Sequence, residues 1–126
     1  MTEEEINSFE KIQTQLESLH EEISTLAKKS QNDALNPFKL KFVNKAISEA
    51  NSLLGQQYKP FDDFELFDDN DLPTNSDVTL ILGQYINCLE KLRADNIFSK
   101  GPQWFWRSDK GETVIRTAPP KKIVNK

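Results

Sequence analysis

Three patterns in the 126-residue chain predict a mainly α fold, with a three-helix bundle-like core, a long heptad-bearing N-terminal helix, an acidic aromatic loop and a C-terminal β-hairpin. The first is a seven-residue recurrence of apolar residues near the N-terminus. The second is one apolar stripe between Thr74 and Asn96. The third is a shift after Asn96 to aromatic and β-branched residues grouped around a glycine turn.

Size and composition set the frame. With 37% hydrophobic residues, 29% charged residues and a net charge of −4, the chain suits one compact domain rather than two. Along it, 1–30 reads as a heptad helix, 31–96 as a helical core containing the acidic loop 56–73, 97–118 as a Trp-rich β-hairpin and 119–126 as a basic flexible tail. No apolar run approaches the roughly 18 residues that a membrane-spanning helix needs. The N-terminal MTEEEINSFEK has neither the basic nor the apolar region of a signal peptide, so a soluble cytoplasmic protein with no membrane partner is expected. Cys88 is the sole cysteine; it cannot form an internal disulfide and reads as a small buried side chain.

The first helix, over 3–29, is opened by Thr2 with Glu5 three positions on, the spacing of a capping box, and by an acidic first turn that suits the helix dipole. Phe9, Leu16 and Ile23 recur every seven residues, with Ile12, Leu19 and Leu26 in the complementary register, giving about three heptads of a and d positions. The flanking e and g positions hold Gln13, Gln15, His20, Glu22, Ala27 and Lys29, which offer almost no complementary charge pairs. That weak code favours packing inside the chain's own bundle; a self-associating coiled coil through the same six residues is the alternative. His20, the sole histidine, reads as a solvated flank without the partners that a metal site or catalytic triad requires.

Asn36 followed by Pro37 makes an N-cap and N1 pair, and Gly55 stands where a C′ residue belongs, which brackets a second helix over 37–54. Its apolar positions, Leu40, Phe42, Val43, Ala46, Ile47, Ala50, Leu53 and Leu54, span an arc of roughly 160° and predict two neighbours. A third helix starts at Thr74, with Asp77 three residues on and Pro73 ahead of it. Val78, Ile81, Leu82, Tyr85, Leu89 and Leu92 form its stripe; Leu80 lies opposite and Ile86 at the margin, as for a helix touching a second neighbour.

Between the second and third helices, QQYKPFDDFELFDDNDLP interleaves six carboxylates with aromatic and aliphatic residues. So long a connection is expected to be pinned to the bundle by its aromatics, with a short helical turn near Asp62 to Phe67. Its Phe61, Asp62, Asp63, Phe64, Asp68 and Asp69 form an acidic loop surface that reads as a solvated loop or as a face for a basic or apolar partner. Asp69 and Asp71 have the alternation that begins a calcium loop, but Pro73 and Thr74 stand where such a loop needs a ligand and its glycine, so no metal is expected.

After the Gly101–Pro102 breaker, WFWRSDKGETVIRT reads as a hairpin turning at Ser108 to Gly111, with Trp104 and Trp106 on one face and Phe105 and Arg107 on the other. An isolated hairpin is marginal in water, so one face must be covered. Charge is split along the chain: residues 1–96 carry nine Lys or Arg against 18 Asp or Glu, whereas residues 97–126 carry seven against two.

Functionally, the chain has no phosphate-binding glycine loop, no Ser-His-Asp or Cys-His set, no CxxC and no HExxH, so neither an enzyme nor a cofactor-binding protein is expected. A small adaptor or assembly subunit, holding a protein partner or a copy of itself, is the leading reading. The alternative is a nucleic-acid-binding accessory protein working through Trp104, Trp106, Arg107, Arg116, Lys121 and Lys122, in which rings stack on bases and cations neutralise phosphates.

Overall fold

A computed structural model describes residues 1–121. In chain order the elements are α1 (Glu3–Ser30), α2 (Pro37–Tyr58), α3 (Asn75–Ala94), β1 (Ile97–Lys100), β2 (Gln103–Ser108) and β3 (Gly111–Thr117). The helix starts follow from their caps. The Thr2 hydroxyl accepts from Glu5 N–H at 3.1 Å, and the Glu5 carboxylate accepts from Thr2 N–H at 3.0 Å, which completes the box. Asn36 caps α2 by accepting from Lys39 N–H at 2.8 Å, and Thr74 caps α3 by accepting from Asp77 N–H at 3.1 Å. Gly55 ends the regular part of α2 with φ +61°, a left-handed backbone that a side chain disfavours, and one further turn reaches Tyr58.

The three helices pack pairwise, α1 more extensively on α3 than on α2. Phe9, Leu16 and Ile23, one register of the heptad stripe, are fully buried with Val43, Ile47, Leu82, Tyr85 and Leu89. Loop 31–36 is stitched to the start of α3: Leu35 N–H donates to Pro73 O, Asn75 N–H to Asp33 O and Ser76 N–H to Gln31 O, at 2.9–3.1 Å. No described helix is long and apolar enough to cross a membrane.

The C-terminal unit contains the expected hairpin, as β2 and β3, and extends it by one strand. It is a three-stranded antiparallel sheet in the order β1-β2-β3, because IFSK pairs with β2 from Ile97 opposite Trp106 to Lys100 opposite Gln103. Gly101 and Pro102 form the two-residue turn between them, with Gly101 at φ +63° in the first central position, so the dipeptide that reads as a breaker joins two strands. The second turn is as expected, with Gly111 at φ +106°. Between Phe105 and Arg107 the β2–β3 register shifts; there the Thr113 hydroxyl donates to Trp106 O at 2.7 Å and accepts from Ile115 N–H, filling the interrupted ladder.

The sheet is covered on one face. Trp106 is fully buried, edge-to-face with Phe9 at 5.1 Å, and its indole N–H donates to Glu10 Oε1 at 3.2 Å. Three further expectations are corrected. The acidic loop contains turns but no helical turn near 62–67, since side chains of α2 bond its backbone in place of intrahelical bonds: Asn44 donates to Phe67 O and accepts from Phe67 N–H, both at 3.0 Å, and Asn51 donates to Glu65 O at 3.0 Å. Although α2 and α3 each pack on two helices, Phe42 and Leu80 stand 43% and 56% exposed, because Phe42 lies at the margin of its apolar arc, where its ring meets Phe38, and Leu80 lies opposite the buried stripe of α3. Through Lys121 the stretch read as a flexible tail is held against α3; the remainder of that tail, Lys122 included, lies outside the described residues.

Candidate interaction surfaces

Three places carry the chemistry that the sequence singled out, and a fourth appears only in the structure. The first is the seam of α1. Of its six residues, Phe9, Ile12, Leu16 and Ile23 are buried in the chain's own core, whereas Leu19 and Leu26 are half-buried at the junction with α2. That junction is a groove. Three adjoining hollows of about 370, 520 and 540 Å³ run along it, sharing Lys11, Glu49 and Ser18 as common walls. Leu53, Ala46, Leu19 and Leu26 line it in turn, and Phe42 stands on its α2 rim. Phe38, one turn along and 69% exposed, meets Phe42 edge-to-face at 5.1 Å. The periodicity of α1 reveals its two leucine registers, but only the packing of α2 shows that one register is left half open.

The outer face of the sheet is the second. Strand alternation and register put Phe98, Phe105, Arg107, Val114 and Arg116 on the side away from the helices. The Phe98 and Phe105 rings lie 5.9 Å apart at 31°, and the Arg107 guanidinium sits 5.3 Å from the centre of Phe98. Arg116 is directly opposite Phe105 in the ladder, and Val114, at the register shift, is 90% exposed. The structure therefore separates the residues expected to contact nucleic acid. Arg107 and Arg116 share this outer face, but Trp106 is buried beneath the sheet and Trp104 packs half-buried on the inner side. Phe98 and Phe105 take the outer aromatic positions. Phe98 escapes a sequence reading because its strand hides behind the Gly-Pro turn.

The acidic loop is the third. Phe64 is its anchor, edge-to-face with Phe67 at 5.0 Å and with Tyr85 of α3 at 6.4 Å. Tyr85 is fully buried; its hydroxyl donates to Asn51 Oδ1 at 2.6 Å, and burial pushes its pKa up to about 12 against a lesser opposing effect of that bond. Phe61, Asp62, Asp63, Asp68 and Asp69 all face water, Asp69 also accepting from Asn44 at 3.2 Å. Glu65 is bonded by Lys59. Among the described residues no group of three or more His, Cys, Asp or Glu side chains is placed to hold a metal ion.

The fourth is a buried ion pair at the end of α3. Arg93 and Glu90 are 3% and 5% exposed, and two parallel N–H donors of the guanidinium reach the two carboxylate oxygens at 2.8 Å. The remaining donors of Arg93 go to Thr117 Oγ1, Ala118 O and Pro119 O at 2.7–2.9 Å, while Glu90 accepts from Lys121 N–H at 2.8 Å. Lys121 Nζ lies 3.8 Å from Glu17. This pair latches the end of β3 to α3, and Lys121 is turned towards a helix carboxylate. His20 is half-buried against α3, 3.6 Å from where a Cβ on Gly83 would sit, and Cys88 is half-buried with its thiol pKa raised by burial. Comparisons with protein-family models, with curated proteins and with solved structures find no match.

Proposed function

We propose that this protein is a small non-enzymatic adaptor or assembly subunit that works through protein contacts, with the α1–α2 groove as its contact surface. The observation that carries the reading is the edge-to-face pair of Phe38 and Phe42, 69% and 43% exposed, beside half-buried Leu19 and Leu26. Phe42 on the rim of a leucine-lined groove, with exposed Phe38 packed against it, gives apolar surface of the kind that marks binding sites, and a groove between two helices suits an amphipathic helix. The heptad pattern of α1 then serves two ends, with Phe9, Ile12, Leu16 and Ile23 in the core and Leu19 and Leu26 half open at the groove. The test is capture of cell proteins, or of the chain itself, by immobilised chain and by a Phe38→Ser, Phe42→Ser variant with the same circular dichroism. Capture lost in the variant supports the reading; an unchanged set of captured proteins refutes it.

A second reading, binding of single-stranded nucleic acid, rests on the outer face of the sheet, where Phe98 and Phe105 offer rings for stacking and Arg107 and Arg116 offer cations. It predicts retention on single-stranded RNA or DNA that falls steeply with salt and is lost on Arg107→Ala plus Arg116→Ala. No retention at low salt removes it.

A further inference from the structure

The charges on the groove identify its occupant. The α1 rim carries Lys11 at one end and Glu22 at the other; the antiparallel α2 rim carries Glu49 beside Lys11 and Lys39 beside Glu22. At both ends the two rims are therefore of opposite sign, with Glu21 adding to the Glu22 end and Lys45 lining the middle hollow, and at one end this is already an ion pair, Lys39 to Glu22 at 3.6 Å. Lys11 and Glu49 form no ion pair with another described residue. A surface of this kind is complementary to itself. A two-fold axis running along the groove lays α1 of one copy over α2 of another, with Lys11 opposite Glu49 and Glu22 opposite Lys39, each twice, and sets Phe42 of each copy against the Leu19 region of the other. We propose that the α1–α2 groove is closed by a second copy of this chain, giving a two-fold dimer whose centre is a four-helix layer. The inference rests on the adaptor reading above and names its partner.

Size sets the expected strength. From Ser8 to Leu26 the groove runs about 27 Å at 1.5 Å per residue. Two helix ridges of that length offer on the order of 600 Å² per copy, at the low end for a specific interface, so the dimer dissociates in the micromolar range.

The experiment is light scattering and sedimentation of the full chain at concentrations from below micromolar to a few hundred micromolar. The expected result is a reversible transition to twice the 14.5 kDa chain mass. Phe42→Glu, at a site too exposed to disturb the core, weakens the dimer at least about tenfold with unchanged circular dichroism. Lys11→Glu and Glu49→Lys each weaken it by roughly three- to tenfold, since each change is repeated by the two-fold axis. Mixing these two single variants restores native strength, because both cross-copy contacts in the mixed dimer again join unlike charges, a rescue that an effect within one chain does not produce. A chain monomeric at every concentration overturns the second copy, and the capture experiment then decides separately whether the groove receives another protein. A dimer that survives Phe42→Glu, or a mixture that stays weak, places the interface elsewhere and overturns the proposal equally.

Discussion

Arg93 ties α3 to the end of the sheet, since its guanidinium bonds Glu90 on its own helix, Thr117 of β3 and the backbone of the chain leaving that strand. Arg93→Met leaves the Glu90 carboxylate buried with its countercharge gone and is expected to cost about 3–5 kcal/mol in urea unfolding. Removing both charges together, Arg93→Met with Glu90→Leu, should recover much of that loss, because the penalty is the stranded charge and not the missing attraction. Tyr85 sets an alkaline limit. Its ordinary pKa of 10.0 applies to the unfolded chain and about 12 to the folded one, so the neutral phenol's contribution is complete below pH 10 and is lost as the pH rises towards 12. Titration of stability over that window should show the loss, and Tyr85→Phe should flatten it at a cost of about 1–2 kcal/mol at neutral pH from the donor removed from Asn51. Neither residue's role is legible in the sequence: Tyr85 is one more member of an apolar stripe, and Arg93 is one of several cations off it.

Helices and turns respond where their glycines stand. Gly83 is inside α3, and a Cβ there would meet only His20 at 3.6 Å, an ordinary contact. Gly83→Ala is therefore expected to stabilise the fold by about 0.5–1 kcal/mol, read as an upward shift in Tm. Gly55 has open space around it but φ +61°, so Gly55→Ala should destabilise by about 1 kcal/mol although nothing collides. The opposite signs follow from backbone conformation. All three helix starts are readable from the chain because capping needs only residues within three positions of each other, as Thr2 and Glu5, Asn36 and Lys39, and Thr74 and Asp77 demonstrate. Strand β1 is not readable in this way. IFSK is four residues long, and what makes it a strand is the β2 segment beside it.

The molecule as a whole depends on α1 as core. Phe9 meets Trp106 of the sheet, Leu16 and Ile23 are fully buried, and α1 is the helix with the most extensive packing. A chain beginning at Ser30 should therefore fail to fold, observed as loss of helical circular dichroism and of the blue-shifted emission of buried Trp106; a folded, monomeric truncation would contradict this account of α1. The helix count, the helix starts, the glycine turn before β3 and the pairing of Trp104 with Trp106 on one strand face were all decided by composition and periodicity, because each is a relation between residues a few positions apart. Three features waited for the tertiary structure: which heptad register is buried, which sheet face is covered, and that Arg93 reaches across to residues 117–119. Each depends on what is packed beside a residue. A repeat of seven marks a stripe but does not say how much of it a neighbour covers, and the α1–α2 groove exists because α2 covers the Leu19 and Leu26 register only in part.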